Sequence, residues 1–269
     1  MKKNPSLHSP VPQISIRGVC KSFGSQVVLD HLDLDIPLGS SLVIMGGSGT
    51  GKSVLLKSIL GLLPLDKGEI YLHDASGGRQ SVRGLTGRAY ETYLENFGML
   101  FQGSALFDSL PVWENVTFGI RRKNKIKKSQ AIEMAIEALA SVGLQPDVAF
   151  IYPAELSGGM QRRVAIARAT IAKPKIIFFD EPTAGLDPII SSIINELIVQ
   201  CSQSLGATSV AITHDIKSAR HIAQHVAMIH DGKIIWQGSA KDMDHSDNPY
   251  VDQFIHGKTQ GPIKLPLSQ

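Results

Sequence analysis

The run Gly46-Gly47-Ser48-Gly49-Thr50-Gly51-Lys52-Ser53 fits the spacing G-x-x-x-x-G-K-[ST] of a phosphate-binding loop. The residue types explain the chemistry. Glycines let successive backbone N–H groups converge on one concavity, and a following helix N-terminus adds partial positive charge. Lys52 reaches the outer phosphates, and the Ser53 hydroxyl offers an oxygen to Mg²⁺. The loop does not fit G-x-G-x-x-G, because Lys52 stands in the last slot, so a dinucleotide fold is disfavoured. A second cluster is Ile176-Ile177-Phe178-Phe179-Asp180-Glu181, an apolar strand that ends in two carboxylates. Ligands of open α/β sheets lie beyond the carboxyl ends of the strands, where these acids are expected. Asp180 then serves the magnesium shell and Glu181 polarises a water, with strand alternation sending the two side chains in different directions. A second anion site is Leu156-Ser157-Gly158-Gly159-Met160-Gln161-Arg162-Arg163, a serine N-cap with two glycines but no nucleotide lysine of its own.

The elements that must position these residues are legible in outline. Alternation in residues 13–17 and 32–36 predicts half-exposed strands joined by a Phe23-Gly24-Ser25 turn, an antiparallel start. A compact apolar strand, 41–45, leads into the glycine-rich loop and a helix from Lys52 to about Leu63, stopped by Pro64. Between about 105 and 156 the pattern becomes helical, with Ser129 as N-cap, a 3.6-residue period from Ile132 to Leu139 and a stop at Gly143. The runs 176–179, 209–212 and 226–229 read as buried, mostly parallel strands. From Gly257 onward the tail is polar, carries Pro262 and Pro266, and is expected to be an extended arm.

In these motifs the chain resembles ABC-type ATPase subunits over about residues 13–245, with Ser157 to Met160 matching the family's signature loop. The order also matches: nucleotide loop, glutamine loop, signature, acidic strand end, D-loop and switch histidine. The resemblance implies an α/β fold, a P-loop NTPase core of ABC type with an N-terminal antiparallel β-subdomain and a helical subdomain. It implies a flexible N-terminus 1–12, an ATP-binding core 13–104 and 158–245, a helical subdomain 105–157 and a C-terminal extension 246–269. By the same resemblance ATP is bound by Phe23, Gly46 to Ser53, Val54, Gln102, Ser157, Gly158, Gly159 and Asp187. Mg²⁺ is held by Ser53, Gln102 and Asp180, and Glu181 and His214 are catalytic, His214 through the γ-phosphate. Phe23 stands where the family more often has a base-stacking tyrosine; phenylalanine stacks without the hydroxyl. Gln102 links the metal site to a transmembrane partner, and Ala184-Gly185-Leu186-Asp187 is the D-loop.

The implied assembly is a pair of subunits packed head to tail, a homodimer or close heterodimer, in which one signature loop closes on the other subunit's ATP. The pair serves an integral membrane permease, with substrate-carrier and regulatory subunits as further partners, from the cytoplasmic face of the inner membrane. A finer resemblance is to the Mla phospholipid-transport ATPases, carried by residues 100–107, 112–116, Met160 and the tail 254–257 leading to Gly261-Pro262. It implies phospholipid or another apolar substrate, and an arm, with Ile263, Leu265 and Leu267 on one side, that clasps the partner subunit. The D-loop sequence and Gln161 also match importers, so an importer ATPase for a polar solute stays open, as does a soluble ATPase of iron–sulfur assembly. Repair ATPases insert a long coiled coil between Lys52 and Ser157, here only 105 positions apart. Translation ATPases carry two nucleotide loops in one chain, and this chain has one.

Composition narrows the field further. With 43% hydrophobic residues in 269, the chain has material for a large core and is not a disordered tail. Cys20 and Cys201, with no CxxC spacing, exclude a disulfide scaffold and a zinc ribbon. Six of the 27 positive charges fall between Arg121 and Lys128; without them 21 positive charges face 24 negative ones. The calculated pI of 8.8 therefore reports one patch, and no nucleic-acid partner is expected. Two roles fit that patch, a solvated helix entrance or a face toward anionic lipid headgroups. No apolar segment follows Lys2 and Lys3, and no stretch reaches the roughly 18 apolar residues of a spanning helix. His221 and His225 are spaced i,i+4, but Ile222 stands where a zincin has glutamate, so they are read as a solvated helix face.

Overall fold

A computed structural model describes residues 12–74 and 77–264. The chain divides into two compact units, one formed by the stretches up to Thr86 and from Thr213, the other by Gly87–Ile212. The first unit begins with β1 (Pro12–Phe23), β2 (Gln26–Pro37), β3 (Ser41–Met45), α1 (Lys52–Ile59), β4 (Lys67–His73) and β5 (Arg79–Ser81). The second holds α2 (Gly87–Leu94), β6 (Phe97–Leu100), α3 (Val112–Lys123), α4 (Lys128–Ser141), α5 (Gly158–Thr170), β7 (Ile176–Asp180), α6 (Pro188–Leu205) and β8 (Thr208–Thr213). The chain then adds α7 (Ile216–Ile222), β9 (His225–His230), β10 (Lys233–Ser239) and α8 (Pro249–His256) to the first unit. The fold is α/β, and its N-terminal end is antiparallel as the alternation predicts.

In the first unit an antiparallel sheet has the order β2-β1-β4-β5. The hairpin closes on Gly24 and Ser25, with Phe23 opposite Gln26. On β2, Leu32, Leu34 and Ile36 are buried while Asp33 is exposed, which is the expected period of two. On β1 the expected alternation fails. Gln13 and Ser15 are buried beside Ile14 and Ile16 because His73 satisfies them: Gln13 Nε2 donates to His73 O at 2.8 Å, and Ser15 Oγ bonds the His73 ring at 2.9 Å. In the same unit β3 runs parallel to β9, and β9 pairs antiparallel with β10. In the second unit β6, β7 and β8 are parallel, with Ile176, Ile177, Phe178 and Phe179 all fully buried on the middle strand.

Four expectations are corrected. The first helix stops at Ile59, not near Leu63, because Gly61 adopts φ 71°. Its N–H donates to Ser58 O at 3.0 Å and Leu62 N–H to Lys57 O at 2.9 Å, a Schellman closure that ends the helix before Pro64 acts. Ser129 is not a cap: Lys127 is the N-cap residue of α4, and its carbonyl accepts from Ala131 N–H at 3.0 Å, placing Ser129 inside the first turn. His221 and His225 share no helix, since α7 ends at Ile222 and His225 opens β9. Nor does the tail leave as an extended arm at Gly257. Gly257 closes α8 in the left-handed region, and the buried Gln253 amide gathers the next residues back. Its Nε2 donates to Lys258 O at 3.2 Å and Ile263 O at 3.1 Å, and its Oε1 accepts from Ile263 N–H at 2.7 Å. Leu265 and Leu267, like residues 1–11 of the N-terminus, lie outside the described residues.

Candidate functional site

The glycine-rich loop connects β3 to α1 inside the first unit. Gly46 has to be glycine because a Cβ there would strike the Ile229 carbonyl, and Gly51 because at φ 102° a Cβ would sit 2.8 Å from Val28 O. No side chain caps α1, so its amino-terminal end is left to an anion. Lys52 is buried and folds back across the loop, its Nζ donating to Gly46 O at 2.8 Å and Gly47 O at 2.7 Å. Thr50 Oγ1 donates to Gly47 O at 2.9 Å, which fixes the loop's middle. Ser53 is exposed in the first turn, with Val54 half-buried behind it. The result is a preformed cationic cradle, with a hydroxyl beside it.

Phe23 stands at the tip of the β1–β2 hairpin, 48% exposed, with Lys21 Nζ 5.4 Å from its ring centroid. The hairpin is held by Asp66, whose carboxylate takes Lys21 Nζ at 2.9 Å and Ser22 N–H at 2.6 Å. Those bonds, with that of Lys21 first, keep the Asp66 carboxyl below its usual range. A cavity of about 1480 Å³ opens against Gly47, Ser48, Gly49 and Thr50, with Val27 and Gln26 of the hairpin and Gly261 of the tail also on its wall. His214 follows β8 and is exposed, beside Asp215, the N-cap of α7. Burial works against the Asp215 carboxylate. Its bonds from Ser218 and Lys217 and the nearby His214 outweigh that, so its pKa is lowered.

In the second unit Asp180 closes β7, but the alternation argument fails at the next residue. Glu181 leaves the strand at φ 47°, its N–H held by Ile212 O at 2.9 Å and its carbonyl taken by Ala184 N–H at 3.2 Å. A non-glycine residue in the left-handed region costs about 1–3 kcal/mol, and such costs collect at functional sites. Gln102 is exposed after β6, in a loop where Gly103, Ser104 and Ala105 all have positive φ. Ser157 caps α5, its Oγ accepting from Met160 N–H at 3.3 Å, and Ser157 and Gly158 are exposed. Gly159 has no room for a side chain, since a Cβ would lie 2.8 Å from Ile190 Cγ2. Asp187 caps α6 through Ile189 N–H at 2.9 Å and Ile190 N–H at 3.0 Å.

Sequence reasoning missed two arginines on the helix that Ser157 caps. Arg162 is buried and donates to Phe101 O at 3.3 Å and Ala184 O at 3.1 Å. Arg168 donates to Ser104 O at 2.6 Å and Ala105 O at 2.8 Å. Burial lowers the pKa of both guanidiniums. Together they tie the signature helix to the loop that carries Gln102 and to the D-loop. The available signal was Arg162 just before, and Arg168 within, a run, residues 164–169, otherwise of Val, Ala and Ile.

The sequence profile of the ABC transporter family matches residues 29–184. The chain is 37% identical to the probable ribonucleotide transport ATP-binding protein mkl of Mycobacterium leprae, over 94% of this chain and 71% of that protein. It is 36% identical to the intermembrane phospholipid transport system ATP-binding protein MlaF of Haemophilus influenzae, over 94% and 93% respectively. Among solved structures it resembles the dimeric ATP-binding cassette MJ0796 bound to ADP and Pi, with a TM-score of 0.75 and 30% identity, covering 84% of this chain and 98% of that one. The chain belongs to the ABC transporter family, as one of its ATP-binding and ATP-hydrolysing subunits.

Proposed function

We propose that this subunit dimerises on ATP and drives a separate membrane permease that moves phospholipid between bacterial membranes. The likeness to MlaF, running almost the full length of both chains, carries the lipid assignment. The exposed Ser157 and Gly158, at a helix start with no lysine of its own, support a head-to-tail dimer in which each signature loop closes on the other subunit's ATP. A protein partner is supported by the second unit's exposed Phe101, Phe107, Phe118, Phe150 and Tyr152, with Phe107 and Phe118 packed ring against ring. Four of these fall in the segment 105–157, proposed as the helical subdomain between core segments 13–104 and 158–245. Among the described residues no helix is long and apolar enough to cross a membrane, and the proposed place of the subunit is the cytoplasmic face, beside the permease. Carrier and regulatory subunits belong to the same proposal.

In this reading the loop Gly46 to Ser53, with Val54, receives the phosphates and Phe23 stacks on the base. Glu181 polarises the attacking water and His214 bonds the γ-phosphate, with Asp187 holding the D-loop. Mg²⁺ suits the donor set, because the Ser53 hydroxyl, the Gln102 amide oxygen and the Asp180 carboxylate are hard oxygen ligands. When bound, the ion neutralises charge on the phosphate oxygens. A second reading, an importer of a polar solute, draws on the name of mkl, a ribonucleotide transport protein. The test is to copurify the subunit with its membrane proteins in detergent, reconstitute them and follow ATP-dependent movement of a labelled phospholipid. Lipid movement lost with Glu181→Gln is expected; ATP-dependent uptake of a ribonucleotide without lipid movement would overturn the lipid assignment.

A further inference from the structure

The basic run from Arg121 to Lys128 joins α3 to α4, and ordinary helix electrostatics accounts for only part of it. Arg121, Arg122 and Lys123 lie in the last turn of α3, where cations complement the helix dipole. Arg121 also faces Glu114 at 3.8 Å, and Lys123 pairs with Glu95 at 2.6 Å. Lys127 and Lys128 are placed the other way. They form the N-cap and first residue of α4, with no acidic residue in the first turn and no side-chain cap, where the dipole opposes a cation. Arg122, Lys125 and Lys127 are exposed, and their side chains make no ion pair among the described residues.

The connector is nonetheless held in place. Buried Trp113 carries Arg121 at 5.0 Å and Lys128 at 5.5 Å from its ring, which fastens the end of α3 to the start of α4. Between them Asn124 N–H donates to Ile120 O at 3.0 Å and Ile126 N–H to Asn124 O at 2.8 Å. Three cations without an ion-pair partner among the described residues, Arg122, Lys125 and Lys127, are thus presented at an ordered turn, Lys127 against the field of α4.

We propose that this turn docks on an anionic lipid surface. Charge complementarity decides the occupant. The rest of the chain carries 21 positive and 24 negative charges, so a polyanion following the molecule beyond the turn would meet net repulsion. A nucleic acid also asks for an extended basic track with stacking aromatics, and here the neighbouring indole is buried beneath the cations. A membrane surface needs only one protruding patch within a Debye length. This contact is separate from the permease, and the isolated subunit suffices to test it, so its failure would leave the transport reading untouched.

The experiment is cosedimentation of the full chain with vesicles of phosphatidylcholine alone and of phosphatidylcholine mixed with phosphatidylglycerol, at low and high salt. Lys125→Glu/Lys127→Glu is the informative variant, since Lys128 packs on Trp113 and is left alone. Wild type should partition onto the anionic vesicles only, and less at high salt. Each lysine near such a surface is worth about fivefold in partition, so the double reversal should weaken it by at least about 25-fold. Basal ATP hydrolysis should be unchanged, which also shows that the variant folds. Equal binding of wild type to both vesicles, or equal binding of wild type and variant to the anionic ones, overturns the proposal. So does tighter binding of single-stranded RNA than of vesicles, if the same double reversal abolishes it.

Discussion

In the proposed site Lys52 holds phosphate and Glu181 activates water, a division that can be measured. Replacing Lys52 with alanine removes the buried ammonium that spans the loop from Gly46 O to Gly47 O. Nucleotide affinity itself should fall, as read by equilibrium binding of a fluorescent ATP analogue, and unchanged affinity would remove Lys52 from the phosphate site. Glu181→Gln keeps the side-chain shape and the cradle but takes away the polarising carboxylate. ATP affinity should persist while hydrolysis drops by roughly 10²–10⁴, the usual contribution of a positioned general base. Turnover near wild type would mean that another group activates the water. Both residues were legible in the sequence because their signals are local: eight consecutive residues for the loop, and an apolar strand ending in acids. The left-handed turn at Glu181 was not, since a period of two continues on paper until something breaks it, and here the break is a turn closed by Ala184 N–H on Glu181 O.

At the scale of elements, what escaped the sequence is what depends on partners far along the chain. Gln13 and Ser15 read as exposed strand positions until His73, about sixty residues on, is brought alongside to satisfy them. Gly61 was passed over for Pro64, although a glycine reaching φ 71° ends a helix earlier than a proline can. Gly61→Ala should therefore cost stability, about 1–2 kcal/mol for a side chain in the left-handed region. For a chain near this size that lowers the melting temperature by about 2–4 °C per kcal/mol; an unshifted thermal transition would deny Gly61 its stopping role. Arg162 tests the coupling of elements. Arg162→Leu takes its bond from Phe101 O, which keeps that from Ser104 N–H, and leaves Ala184 O without the Arg162 donor, at about 1–3 kcal/mol for an unsatisfied carbonyl. Because a displacement of about 1 Å in a catalytic loop costs on the order of 10²-fold, hydrolysis should fall by about 10–10² with ATP affinity kept. Equal loss of affinity and rate, tracking a lower melting temperature, would reduce Arg162 to a stabilising residue.

For the whole molecule, the proposed head-to-tail pair gives the exposed Ser157 and Gly158 their role, a second subunit completing the chemistry. The arrangement asks each copy to lend a helix N-terminus to the other's ATP, which one chain cannot do for itself. Ser157→Arg puts a bulky cation at that helix start while leaving the Lys52 loop untouched, so each monomer should still bind ATP and hydrolysis should be lost. The central claim is tested most directly by light scattering on the Glu181→Gln protein with and without Mg²⁺-ATP, beside the same protein carrying Ser157→Arg. Glu181→Gln should double its mass on adding ATP, because the closed pair cannot hydrolyse its way open, and the double variant should stay monomeric. A Glu181→Gln protein that binds ATP yet remains a monomer, or a double variant that dimerises as readily, would contradict the shared site.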